Sequence, residues 1–141
     1  MELKIYQKRV MKNLSSYLDF LNDYDMNEAW KRYWAEQDVT IGLGGVPQYK
    51  DEIKGVPHIC FKVPTGGGKT FMACSSLKTI FEKMPMDKPK VVVWLAPSDA
   101  IIEQMVNTLS NVNHPYRQKN ELRNAAKILM LQIRDIENNI E

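Results

Sequence analysis

The sequence predicts an α/β fold, a short parallel sheet flanked by helices and preceded by an N-terminal helical segment. Three observations predict it. Two short apolar runs, 58–63 and 90–95, are each followed by a turn and then by a stretch of helical periodicity. The turn after the first run is rich in glycine and opens directly into the helical pattern at Lys69. Ahead of both lie two stretches with the spacing of helices and no strand-like alternation.

Taken in order, residues 4–22 read as a helix, because Ile5, Val10, Leu14, Tyr17, Leu18 and Leu21 recur at helical steps with no Gly or Pro between them. Residues 26–36 read as a second, shorter helix with Trp30, Tyr33 and Trp34 close together on one side. Those aromatics suit core packing better than a base-stacking platform. Residues 38–57 form a loop, since Gly42, Gly44, Gly45, Pro47, Gly55 and Pro57 interrupt every period. His58–Val63, bounded by Pro57 and Pro64, reads as a buried strand. A helix is expected from Lys69 to Met84, carried by Ala73, Leu77, Ile80, Phe81 and Met84 and stopped by Pro85. Residues 90–95 are continuously apolar after Lys90, as an inner parallel strand would be. Ser98 or Asp99 can cap the helix expected from about 99 to 110. After His114-Pro115, residues 117–140 read as a last helix, with Leu129, Ile133, Ile136 and Ile140 in register. Three segments follow: 1–57 helical with a Gly/Pro-rich loop, 58–116 an α/β core, and 117–141 a C-terminal helix. Strand, loop and helix repeating in that order imply parallel pairing through crossover helices.

Composition excludes several classes of function. The chain has 141 residues, 44% of them hydrophobic and 26% charged, which suits one packed domain. A net charge of +2 is too small to argue nucleic-acid binding from overall electrostatics. Cys60 and Cys74 form no C-x-x-C pair, and His58 and His114 lie far apart, so no metal-ligand spacing is present. The two thiols suit buried, reduced residues of a cytoplasmic protein. No apolar run approaches the roughly 20 residues needed to span a bilayer, and no membrane partner is expected.

The chemistry lies in Val63-Pro64-Thr65-Gly66-Gly67-Gly68-Lys69-Thr70. A triphosphate concentrates negative charge, and a protein must surround it with many donors in little space. Consecutive glycines let backbone N–H groups close around phosphates without side chains intervening. A helix beginning at Lys69 would add its positive end and unpaired amides. Lys69 can reach the β- and γ-phosphates, and Thr70 can offer its hydroxyl to a bridging Mg²⁺. The segment Pro64–Thr70 is therefore the candidate ATP site, with Lys69 and Thr70 as its catalytic members. The usual glycine five places before Gly68 is replaced by Val63.

That replacement, with Pro64-Thr65-Gly66-Gly67-Gly68-Lys69-Thr70, resembles motif I of superfamily 2 helicases and translocases. Leu3-Lys4-Ile5-Tyr6-Gln7 resembles their adenine-reading segment. Val92 through Ile101, then Gln104 and Asn113 through Arg117, resemble motif Ia and its sequel in the Res subunits of type III restriction-modification enzymes. The resemblance covers roughly residues 1–118. It implies a partial RecA-like lobe of an ATP-driven DNA translocase, in which Gln7 reads adenine, Thr65–Thr70 hold phosphate and magnesium, and Pro97 and Ser98 touch the DNA backbone. DNA would be met through the full-length enzyme, with a methyltransferase (modification) subunit as a further partner. Asp99 stands where many relatives carry arginine, so that contact would rest on Ser98 or on backbone amides. Without the family, Gln7 is an ordinary exposed helix residue and Ser98 a plain helix cap.

The Asp-Glu pair that orients metal and water in such ATPases is not found. Asp135-Ile136-Glu137-Asn138 does not match Asp-Glu-x-His, and its surroundings fit a helix better than a strand. A second lobe is absent as well, so the chain reads as an N-terminal piece that binds nucleotide but is inactive alone. The alternative is a non-catalytic nucleotide-binding module, or one pairing through its C-terminal helix. A small P-loop kinase would need a lid and acceptor-binding arginines that the sequence does not offer.

Overall fold

The computed structural model describes residues 2–85, 87, 89–96, 98–111, 113–116 and, as backbone alone, 128–132. It divides into two units, one of residues 2–69 and one beginning at Thr70. In chain order the elements are α1 (Ile5–Asp23), α2 (Met26–Glu36), α3 (Lys69–Lys83), β1 (Val92–Ala96), α4 (Asp99–Ser110) and β2 (Ile128–Gln132).

The first unit is built on the packing of α1 against α2. Tyr17, Ala29 and Tyr33 are buried at its centre, with Phe20, Leu21, Trp30 and Trp34 against them. The rings meet edge to face: Tyr17 with Tyr33 at 5.5 Å, Tyr33 with Trp34 at 5.0 Å and Trp30 with Trp34 at 5.4 Å. Such pairs contribute about 0.5–1.5 kcal/mol each beyond the area they bury. The aromatics of α2 are thus core residues, as their spacing predicts.

α2 has well-defined ends. Asp25 Oδ1 accepts from the amides of Asn27 and Glu28 at 3.0 and 2.9 Å, satisfying two donors that the first turn leaves unpaired. At the other end Asp38 adopts φ 55, the left-handed conformation that ends many helices and that Asp tolerates. The following loop folds back tightly at Thr40–Val46. A side chain at Gly45 would place its Cβ 1.8 Å from the Thr40 carbonyl oxygen, so only glycine fits there. Trp30 Nε1 donates to the Pro47 carbonyl at 3.0 Å and ties this loop to α2.

His58–Val63, expected as a buried strand, is not one. Among the described residues it makes no ladder hydrogen bond, Ile59 is 40% exposed, and Cys60 is exposed rather than buried. Pro57 and Pro64 remove donors at both ends, and among the described residues no strand pairs with the run.

In the second unit, β1 pairs in parallel with β2, Val92 opposite Ile128 through Ala96 opposite Gln132. The helix expected over 117–140 is therefore wrong at 128–132; the rest of that stretch lies outside the described residues. Four consecutive apolar residues, Ile128–Leu131, satisfy a buried strand as readily as a helix, and pairing with β1 decides between them. α4 lies between the two strands in sequence, and Met105 and Leu109 pack with Cys74, Trp94 and Tyr116. Phe71 stacks on Tyr116 at 5.2 Å. Lys90 Nζ donates to the Phe81 carbonyl at 2.9 Å, covering one of the acceptors that the last turn of α3 leaves open. β1 is not buried on both faces as continuous hydrophobicity suggests: Val93 and Leu95 are 53% and 57% exposed.

Candidate functional site

The glycine loop is neither a straight strand nor part of a helix. Residues 65–67 turn, the Gly67 amide donates to the Pro64 carbonyl at 3.0 Å, and α3 begins at Lys69, straight after Gly68. Each glycine is needed for its own reason. Gly66 and Gly68 have φ 75 and 73, where a side chain strains the backbone. Gly67 lacks room instead: a Cβ there would lie 2.6 Å from Val63 Cγ1 and 2.9 Å from the Pro64 carbonyl oxygen. Val63, noted in the sequence only as a departure from the usual glycine, is the side chain that fills the space beside Gly67.

Two residues of α1 hold the loop from the other side. Tyr6 donates its hydroxyl to the Gly67 carbonyl, and Gln7 Nε2 donates to the same oxygen at 3.0 Å. Gln7 Oε1 in turn accepts from the Lys4 amide at 2.8 Å. That is one half of a capping box, since Lys4 has no acceptor with which to return the bond. Gln7 is only 3% exposed, so the family-free expectation of an exposed helix residue is overturned. The bond from Tyr6 to the loop is a contact that the sequence did not single out, Tyr6 being noted only as part of the segment before Gln7. A glutamine at the third helical position, the capping-box place, was the available signal for a buried and locally bonded Gln7.

The remaining candidates are placed less fully. Lys69 and Thr70 form the first residues of α3, Lys69 exposed and Thr70 half-buried. Ser98 precedes α4 at its cap position, with φ −153, but its hydroxyl makes no capping bond; its carbonyl accepts from Ile102 at 3.1 Å. Pro97 lies outside the described residues, as do Asp135 and Glu137. Among the described residues no group of His, Cys, Asp or Glu could by itself hold a metal ion. A Mg²⁺ here would need oxygens from the nucleotide and water beside the Thr70 hydroxyl, which is how this ion is usually held on phosphates. No helix of the described residues is long and apolar enough to cross a membrane.

No curated protein and no solved structure matches the chain. The family profile described as "Type III restriction enzyme, res subunit" matches residues 1–140, well past residue 118, where the motif resemblance ends. The C-terminal stretch is thus inside the family match, and with it the chain belongs to the family of type III restriction enzyme res subunits, corresponding to their helicase-like ATPase portion.

Proposed function

We propose that the chain is the ATP-binding N-terminal portion of the DNA translocase of a type III restriction enzyme. The observation that carries this reading is the three-glycine loop in front of Lys69-Thr70. Two of its glycines need a left-handed backbone, and the third has no room for a side chain. Ordinary turns rarely need three glycines for separate reasons, whereas a loop that wraps phosphate does.

In this reading Pro64–Gly68 supply backbone donors, Lys69 neutralises the β- and γ-phosphates, and Thr70 contributes its hydroxyl to Mg²⁺. Gln7 keeps one amide hydrogen and one carbonyl lone pair beyond its bonds to Gly67 and Lys4. That remainder suits the two-point pairing of a glutamine with an adenine edge. Reading the base through Gln7 would then be coupled to the position of the Gly67 carbonyl. The Ser98 hydroxyl, not used in capping, suits a DNA phosphate, with Pro97 beside it. DNA and a modification methyltransferase would be met by the full-length enzyme.

Without an Asp-Glu pair downstream of the phosphate loop, the chain binds nucleotide and does not turn it over. Titrating Mg-ATP into the wild-type chain and Lys69→Ala tests the site: the variant should bind at least about tenfold more weakly, given the charge it loses. Equal affinity would remove the assignment. Hydrolysis above the Lys69→Ala background, abolished by Asp135→Asn, would instead make Asp135 the acidic residue that the sequence reading dismissed. Residues 128–132 form a strand, so a pairing helix of the alternative reading would have to begin after them.

A further inference from the structure

We infer that Tyr6 is a positioning residue of the phosphate loop: its hydroxyl turns the Gly67–Gly68 peptide so that the Gly68 amide faces the bound phosphate, whatever base the nucleotide carries. This rests on the nucleotide reading above and deepens it. The Gly67 carbonyl oxygen accepts from two side chains, the Tyr6 hydroxyl and Gln7 Nε2, the latter at 3.0 Å. One bond would satisfy that acceptor. A second, from a separate side chain, fixes the direction in which the carbonyl points.

The peptide needs fixing because of what surrounds it. Gly66 and Gly68 have φ 75 and 73, and no side chain in the run 66–68 restrains rotation of the backbone. The bond from the Gly67 amide to the Pro64 carbonyl, at 3.0 Å, orients the preceding peptide, Gly66–Gly67, and not this one. Among the described residues, Tyr6 and Gln7 alone hold the Gly67–Gly68 peptide by hydrogen bonds. The fit is close: a Cβ at Gly67 would lie 3.2 Å from the Tyr6 hydroxyl.

The consequence for an anion follows from peptide geometry. A trans peptide is planar, with its C=O and N–H on opposite sides. With the Gly67 oxygen drawn toward Tyr6 and Gln7 of α1, the Gly68 N–H points away from them. It donates to no acceptor among the described residues, and it adjoins the Lys69 amide, one of those that the first turn of α3 leaves unpaired. Left-handed Gly68 followed by helical Lys69 is a backbone alternation that gathers successive amides around an anion. Rotated by half a turn, the peptide would offer the phosphate an oxygen, which repels it. Tyr6 also differs from Gln7 in what it has left to give. Gln7 keeps a hydrogen and a lone pair for a base, whereas the Tyr6 hydroxyl spends its one hydrogen on Gly67. Tyr6 therefore acts on the phosphate end.

The test uses the full chain with Mg-ATP and with magnesium tripolyphosphate, which carries phosphates without base or sugar. Tyr6→Phe should weaken both by the same factor, about threefold to tenfold, the range of one net hydrogen bond. In the wild type, tripolyphosphate should shift the Gly68 amide resonance saturably. In Tyr6→Phe the shift at saturation should be smaller, while the Asn27 and Glu28 amides, capped by Asp25, keep their positions. A hydroxyl that only held the fold together would not single out Gly68. Equal affinities of wild type and variant, a loss confined to ATP, an undiminished Gly68 shift, or a wild type that binds ATP but not tripolyphosphate would each overturn the positioning role and leave the nucleotide reading standing. A wild type that binds neither probe would overturn both. Should Tyr6→Phe lose the dispersed resonances of a folded chain, the wild type decides: a Gly68 amide that tripolyphosphate leaves unmoved overturns the proposal.

Discussion

Residues 58–63 and 92–96 are both short apolar runs that follow a proline- or lysine-bearing turn and precede a helix, yet only the second becomes a strand. Val92–Ala96 has β2 beside it, in register over five pairs, and α4 against it. His58–Val63 has neither a paired strand among the described residues nor a ladder bond, although Phe61 and Val63 face the same cavity as Tyr17. The difference teaches that a strand in this chain is decided by what lies next to it. Apolar composition brings a segment to the interior, and only a partner backbone satisfies its N–H and C=O groups as a ladder.

The largest effect should come from removing what holds the successful run. Leu109 is 2% exposed and packs with Cys74, Met105 and Trp94. Leu109→Ala should cost about 2–5 kcal/mol, the range for a buried leucine cut to alanine. Chemical denaturation followed by Trp94 fluorescence in a chain with Trp30 and Trp34 replaced by Phe would measure it. A loss below about 1 kcal/mol would mean that β1 does not depend on this cluster.

Amide exchange compares the runs directly. Those amides of Val92–Ala96 that donate to β2 should exchange at least about tenfold more slowly than the amides of 59–63, because a laddered N–H must open before it exchanges. Equal rates would erase the contrast.

The contrast also explains what could be read in advance. The helices were legible nearly to the residue, α2 at 26–36 and α4 at 99–110, because a repeat of apolar or aromatic residues is a local signal. The strands were not. At 58–63 the sequence shows the apolar run and not its missing partner; at 128–132 it shows four apolar residues whose pairing with Val92–Leu95 is remote in sequence. The loop was legible in its glycines. Its restraint by Tyr6 and Gln7 joins residues some sixty positions apart, and no local pattern records such a contact.

A smaller effect follows from the aromatic cluster of α1 and α2. Burial first, and then the neighbouring Tyr49, pushes the Tyr17 hydroxyl up to about 12 from 10.0. Burial followed by Glu36 raises Tyr33 as well. A raised value in the folded chain means that folding holds the phenol neutral. The stabilisation this gives is complete below 10.0, the unfolded value, and is lost as pH rises through about 12. Midpoints of denaturation should therefore be flat up to about pH 10 and fall above it. Tyr17→Phe should flatten that fall; an unchanged fall would place the titrating group elsewhere.

The smallest effect tests the failed run itself. Ile59 is 40% exposed and Val93 is 53% exposed, so neither stands to lose much buried area. Ile59→Thr and Val93→Thr should each change stability by less than about 0.5 kcal/mol, since threonine keeps the branched shape at Cβ and the sites are open to water. The two substitutions would then look alike while amide exchange still separates their backbones. Side-chain burial and ladder formation would thereby be shown to be independent in these two runs. A cost above about 1 kcal/mol at Ile59 alone would mean that its side chain is enclosed by a partner, and the run at 58–63 would have to be counted as a packed strand after all.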